Sequence, residues 1–286
     1  MTDLSNYIDH LYISPHFDDV ALSCGGQVFR HAAVGDSVLV VTVTAADVPD
    51  GPLSETVELL HQRWADSLGE SPTGMVAQRR AEDWEAFALL RADVRFLPFL
   101  DCIYRAGPDG APLYPGSMDM FRSAHPADES FVAALAEAFA ALPEAGAYYL
   151  PLGVGGHIDH LMARRAGERA FDKVAYYEDY PYTEKPGALE AVLPRAQRGE
   201  WTAETMWLTE TAMAAKIGAV GQYRSQLSSF FVDQADLEAK LRAEGARVMN
   251  EASNDGDIPP DWAAGAERIW RKRPPFTLSS FEGSPP

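Results

Sequence analysis

The chain has 286 residues, 47% hydrophobic and 23% charged, enough for one large α/β core or two small ones and too apolar for disorder. A formal net charge of −18, from 42 acidic and 24 basic residues, argues against a nucleic-acid or anionic-membrane partner. Two cysteines, Cys24 and Cys102, cannot build a disulfide framework or a four-cysteine zinc site, and Cys24 reads as a small buried thiol.

The first ten residues lack the basic and apolar blocks of a signal peptide, and no run of about eighteen apolar residues is long enough for a membrane span. The cytoplasm is therefore the expected compartment. The densest basic stretch, Arg268, Arg271, Lys272 and Arg273, reads as a solvated helix end.

In chain order, Leu11-Tyr12-Ile13, ended by Ser14-Pro15, predicts a buried strand. Ala21 to Ala33 follows as a helix closed by Gly35-Asp36. Ser37 to Thr44 is mostly β-branched and largely apolar on both faces, as in a parallel strand covered on both sides. Asp47 to Gly74 is polar and broken by Pro49, Gly51, Pro52 and Pro72 around an apolar island at Leu59, Leu60 and Trp64, and reads as a long excursion of lid or binding type. Ala77 to Leu90 predicts a helix with Trp84, Phe87, Ala88 and Leu90 on its apolar side, Val94 to Leu100 a strand, and Asp101 to Asp128 irregular structure.

Glu129 to Leu142 then reads as a helix, Ala147 to Leu152 as a strand, Gly153 to Gly156 as a turn, Ile158 to Phe171 as a helix and Lys173 to Tyr177 as a strand. This alternation defines an α/β fold: an open, mostly parallel sheet with helices on both faces. After Tyr182 it fades; Thr209 to Phe231 and Ala235 to Val248 read as helical, and the end is loop-rich around Pro259-Pro260 and Pro274-Pro275. The expectation is a single domain over residues 1–286, with an α/β core over 1–182 and a C-terminal helical and loop cap over 183–286.

Two clusters carry ligand-type residues. Ser14-Pro15-His16-Phe17-Asp18-Asp19 lies where the first strand ends, the place where open α/β sheets bind ligands. One histidine and two carboxylates suit a first-row metal, and adjacent carboxylates point different ways, so one can hold the metal while the other handles a proton. The plain alternative is that Asp18 or Asp19 caps the next helix, which leaves His16 unexplained. The second cluster, Gly155-Gly156-His157-Ile158-Asp159-His160, again joins a strand to a helix. Histidines three apart can face one site, and Asp159 can fix a histidine tautomer or simply sit at the positive helix end. Taken together, the clusters supply His16, Asp19 and His160 as three ligands and leave Asp18 and His157 free. Three protein ligands with an open position is the pattern of catalytic zinc.

The segments His16-Phe17-Asp18-Asp19-Val20 and His157-Ile158-Asp159-His160 resemble the paired signature of the LmbE-like (PIG-L) de-N-acetylases, over roughly residues 10 to 180. The resemblance implies a Rossmann-like domain and an N-deacetylase holding zinc, or another divalent first-row metal, through His16, Asp19 and His160. It implies Asp18 as general base, a protonated His157 at the oxyanion or leaving amine, and Asp159 as an orienting group. Arg79, in an Arg-x-x-Glu pair with Glu82, would be a substrate contact or half of a surface ion pair, and Asp101 would hold sugar hydroxyls. Phe17 and Val20 depart from the usual proline and glutamate, and Gly155 stands where some relatives carry a tyrosine.

The partner so implied is a small-molecule N-acyl amino sugar or glycoconjugate, with no nucleic acid and no membrane span; a homo-oligomer stays open. The tyrosines of Tyr176-Tyr177-Glu178-Asp179-Tyr180, at a strand end on the same sheet edge, could wall the sugar site or pack as core rim, as strand-end tyrosines do at least as often. Two other classes compete. A non-catalytic sugar- or metal-binding module has no need of a free Asp18 and His157, and the Gly153-x-Gly155-Gly156 run lacks the spacing of a dinucleotide enzyme.

Overall fold

The apolar runs at Leu11 and Val40 become β1 (Tyr7–Ser14) and β2 (Val38–Thr42), paired in parallel with Leu11 opposite Leu39 and Ile13 opposite Val41. The computed structural model describes residues 7–51, 53–68 and 74–273; the first six residues, the breaks at Pro52 and Pro72 and the tail with Pro274-Pro275 lie outside the described residues. Tyr12, Val38 and Val40 enter one apolar core and Leu11, Ile13, Leu39 and Val41 the other. Burial on both faces is why these strands read as nearly continuous apolar runs.

β3 (Asp93–Phe96), β4 (Glu144–Pro151) and β5 (Val174–Tyr177) complete the parallel set. With two C-terminal strands, β6 (Trp201–Leu208) and β7 (Gly265–Lys272), the full order is β3-β2-β1-β4-β5-β7-β6. The chain leaves β1 for β2 on one side and later returns to β4 on the other, where Tyr12 lies opposite Tyr149. That reversal opens a crevice at the carboxyl ends of β1 and β4, the strands that precede the two motif clusters.

On one face, α1 (Asp19–Ala33) and α3 (Met75–Leu90) share a core with α7 (Glu210–Val220) and α9 (Gln234–Asn254). On the other lie α2 (Glu55–Leu68), α4 (Glu129–Ala140), α5 (Ile158–Ala170) and the short α6 (Ala188–Val192). The expected 47–74 excursion thus contains a helix: Val57, Trp64 and Ala65 bury at helical spacing. Of the apolar side expected of α3, Phe87 and Leu90 are buried as expected, but Trp84 is 56% exposed and Ala88 is exposed, while Glu82 and Asp83 are buried. Asp83 accepts from Thr42 Oγ1 (2.6 Å) and Tyr223 (2.7 Å), and Glu82 from Ser225 N (3.0 Å) and Oγ (2.6 Å). Paired carboxylates can occupy a core face that lone ones cannot.

The C-terminal segment has the expected helices, with 209–231 divided into α7 and α8 (Arg224–Phe230). It also supplies two strands that were not anticipated, β6 (Trp201–Leu208) and β7 (Gly265–Lys272). β7 is antiparallel to both β5 and β6, so this segment extends the sheet itself. The basic run is therefore strand, not helix end, and Arg268 is buried with Nε 2.6 Å from Glu178 Oε1. Glu267 accepts from Gly26 N (3.1 Å) and Gln27 N (2.7 Å), just past a kink in α1 at Cys24, and lies 2.7 Å from Lys216 Nζ. Removing one partner of such a buried pair typically costs about 3–5 kcal/mol. Among the described residues no helix is long and apolar enough to cross a membrane.

Candidate metal and active site

The loop after β1 is pinned before α1 begins: Ser14 Oγ donates to His16 O (2.7 Å) and accepts from Val20 N (3.3 Å). Asp18 occupies the helix N-cap at φ 107°, ψ −28°, and makes no capping hydrogen bond. Left-handed backbone at a non-glycine residue costs about 1–3 kcal/mol and concentrates at functional sites. The simple helix-cap reading therefore fails for Asp18.

After β4, His157 caps α5 with its own ring, Nδ1 accepting from Asp159 N at 3.3 Å. A neutral imidazole that accepts at Nδ1 carries its proton on Nε2, so His157 presents an Nε2–H donor. Burial, with His16 beside it, pulls His157 well below the usual histidine range. In this arrangement His157 is an Nε2–H donor, where the resemblance implies a protonated imidazole.

Asp19 stands between two imidazoles: Oδ2 is 3.1 Å from His16 Nδ1 and Oδ1 is 3.3 Å from His160 Nε2. Ring nitrogens of His16, His157 and His160 lie within 4.8 Å of one another. Each imidazole facing Asp19 is held from behind by a second carboxylate, Asp159 Oδ2 at 3.0 Å from His16 Nε2 and Asp179 Oδ1 at 2.7 Å from His160 Nδ1. Asp159 is itself fixed by Cys102 N (3.0 Å) and Arg105 (2.6 Å), and Arg105 by Asp128 (2.9 Å). Such outer carboxylates set the tautomer and aim of a metal-binding imidazole.

His160 tests whether a cation fits. Asp179 accepts from Nδ1, so a neutral His160 keeps a lone pair on Nε2. That nitrogen is buried, has no hydrogen-bond partner among the described residues, and faces an Asp19 oxygen. Two acceptors set against each other suit a positive ion between them. Protons alone meet the same demand: burial lowers His160, but Asp19 and Asp179 raise it to about 9, and Asp19 and Asp101 likewise lift His16 over its burial. Burial raises Asp19, yet His160 and His16 hold it well below the usual carboxylate range. Asp18 goes the other way, pushed well up by burial and by Asp19.

Two expected residues remain, Asp101 and Arg79. Asp101 Oδ2 is 3.8 Å from His16 Nε2, while Oδ1 accepts from Ile103 N (3.1 Å) to start a 3₁₀ turn. Arg79 is buried between the rings of Phe17 (4.9 Å) and Trp64 (4.7 Å), its Nε without a partner among the described residues. Neither Arg79 nor Glu82 lies on the surface, so the surface ion-pair reading is withdrawn. Tyr176, Tyr177 and Tyr180 pack into the cores and do not wall a sugar site.

Beside the two histidines lies an open cleft of about 800 Å³, lined by Met118, Phe121, Leu161, Tyr182, Lys185 and Val192 among others. Phe121 meets His157 edge-on at 5.3 Å, and Tyr182 meets His160 edge-on at 5.6 Å. Gly155, at φ 87°, is a neighbour of the Tyr182 ring; a Cβ there would lie 2.5 Å from Tyr182 Cγ, so the ring fills the space a side chain at 155 would need. Arg105, Asp128 and Tyr182 escape sequence reasoning, and Asp179, singled out there only within the 176–180 run, is not legible as the partner of His160. For Asp179 a signal existed, a carboxylate just past a third parallel strand; the other three sit in irregular stretches without periodicity.

A PIG-L family model, described as GlcNAc-PI de-N-acetylase, matches residues 11–171, a span that contains both motif clusters. The chain belongs to this family. A relative, the 2'-N-acetylparomamine deacetylase of Niallia circulans, is 28% identical over 256 residues, 85% of this chain and 88% of that protein. The zinc-inhibited form of teicoplanin deacetylase Orf2 matches with a TM-score of 0.74 at 27% identity, over 92% of this chain and 97% of that one. The A40926 pseudoaglycone deacetylase Dbv21 matches with a TM-score of 0.66, also at 27% identity, over 92% and 96%. These likenesses extend well beyond the PIG-L match, into the C-terminal segment with β6 and β7.

Proposed function

We propose that this PIG-L protein hydrolyses the N-acetyl amide of an amino sugar carried on a larger glycoconjugate, with zinc or another divalent first-row ion held by His16, Asp19 and His160. The observation that carries the reading is the Asp19 carboxylate set between His16 Nδ1 and His160 Nε2, with Asp18 and His157 left over. Family membership and the deacetylase names of the relatives support it.

When bound, such an ion supplies the Lewis acidity that makes water a competent nucleophile near neutral pH. Asp18, whose proton affinity is raised by burial and by Asp19, accepts the proton as the water oxygen bonds to the carbonyl carbon. The Nε2–H of His157 donates to the oxygen that becomes anionic; losing one such donor typically costs about 10²–10³-fold in turnover. The C–N bond then breaks, the proton held by Asp18 passes to the nitrogen, and the products are acetate and the free amine. Asp159 and Asp179 keep the two imidazoles in one orientation throughout. The aromatic cleft bounded by Phe121 and Tyr182 offers stacking faces to the sugar and its substituent.

The test is acetate release, followed by mass spectrometry, from a panel of N-acetyl amino sugars, their glycosides and acetylated peptides incubated with the zinc-loaded protein. Release from the glycosides is expected. Release from peptides alone would refute the amino-sugar reading.

A further inference from the structure

The cleft beside His157 and His160 is large for one sugar: about 800 Å³ is the size of pockets that enclose drug-sized ligands. Whatever the sugar carries is therefore met by the rest of the wall. That wall holds large apolar groups in the open, with Met118 63% and Phe121 37% exposed. Phe121 and Tyr182 meet at 67° with ring centroids 6.0 Å apart, a corner that offers ring faces to a flat guest. Exposed apolar groups gathered beside a reactive centre mark a binding surface.

Charge narrows the guest further. Among the described residues that line the cleft, Lys185 alone is charged, and it is exposed. None of them is a carboxylate, in a chain with 42 acidic residues. The carboxylates that flank these residues in the chain are engaged elsewhere. Asp119 accepts from Gly116 N (2.8 Å), Glu184 from the Tyr180 hydroxyl (2.8 Å), and Glu190 lies 3.3 Å from Arg198. An ammonium group entering the cleft would exchange water for apolar walls, with a like charge beside it and no counter-ion. The net charge of −18 draws cations toward the molecule at large, but that field is screened within about 8 Å in physiological salt, whereas desolvation acts at contact.

Resting on the deacetylase reading, we propose that the cleft binds the group glycosidically attached to the amino sugar, and that this group is aromatic and carries no cationic amine. Phe121 and Tyr182 offer it their ring faces, Met118 adds apolar surface, and Lys185 discriminates against conjugates that bear amines.

The experiment measures kcat/KM of the zinc-loaded protein on N-acetylglucosamine carried as its methyl, phenyl or 4-(aminomethyl)phenyl glycoside. With about 100 Å² of ring buried against the wall, the phenyl glycoside is expected to exceed the methyl one by at least about tenfold. The aminomethyl group, protonated at neutral pH, is expected to take away at least about fivefold of that gain. Lys185→Glu replaces a repulsion by an attraction and is expected to raise the aminomethyl-to-phenyl ratio by about threefold or more. Met118→Ser, at an exposed position, is expected to lower the phenyl-to-methyl ratio by about threefold or more, with melting temperature as the folding control for both variants. Methyl or aminomethyl glycosides cleaved as well as the phenyl one by the parent protein would overturn the inference and leave the deacetylase reading standing. So would unchanged ratios in variants that melt like the parent. No acetate from any of the three glycosides would overturn the deacetylase reading and this inference with it.

Discussion

His160 Nδ1 lies 2.7 Å from Asp179 Oδ1, and the other Asp179 oxygen takes the N–H groups of Gly153 and Val154 at 2.8 Å each. A carboxylate just past β5 thus ties the turn after β4 to an imidazole on α5. Asparagine at 179 cannot serve all three donors, because one of its two positions is itself a donor. Asp179→Asn is expected to weaken zinc binding about 10- to 100-fold, read by titration against a competing chelator. Unchanged affinity would show that His160 needs no such partner.

His16→Ala and His160→Ala remove a proposed ligand outright. Parent protein is expected to hold about one zinc per chain and each variant little, measured by elemental analysis after dialysis. Zinc at parental stoichiometry in both variants would exclude these residues as ligands.

Asp18→Asn separates catalysis from binding. Asparagine keeps the shape, tolerates the left-handed backbone at φ 107° and cannot accept the proton of water. Turnover is expected to fall by about 10²- to 10⁴-fold while zinc content and melting temperature stay near the parent's. Turnover within a few-fold of the parent would take Asp18 out of the mechanism, and loss of zinc would make it a ligand.

Gly155→Ala challenges the wall of the cleft. The new Cβ meets the Tyr182 ring at 2.5 Å, and the position has φ 87°. Backbone strain and overpacking together are expected to cost about 1–3 kcal/mol in denaturant unfolding, with KM rising as Tyr182 is displaced. Parental stability and KM would mean that the ring moves aside freely and shapes no site.

At the far end of α1, His31 stacks on His10 with ring centroids 3.6 Å apart and sits 3.1 Å from the Tyr12 hydroxyl. Burial, then the neighbouring His10, lower it to about 4. Below pH ~6.5 an unfolded chain takes up a proton that the folded one refuses. This contribution to stability is therefore complete above pH ~6.5 and is lost as the pH falls toward 4, by roughly 3 kcal/mol at most. His31→Gln is expected to lose less stability than the parent between pH 7.5 and 4.5 in denaturant titrations. Equal losses in the two proteins would remove His31 as a source.

What the sequence determined by itself was local. A strand buried on both faces must be apolar nearly throughout, so β1 and β2 declared themselves, and ligand-type residues packed into a few positions at strand ends marked His16 to Asp19 and His157 to His160. The order of strands and helices was enough for a mostly parallel sheet. Only the tertiary structure decided which carboxylate faces which imidazole: Asp179 meets His160, and Asp159, held by Arg105, meets His16, each across separate elements of the chain. It also buried Glu82 and Asp83 while exposing Trp84, and it paired β7 with β5. Periodicity reports whether a position is apolar, whereas the fate of a polar side chain depends on the partner it finds, and sheet order, not sequence distance, brings that partner within about 3 Å.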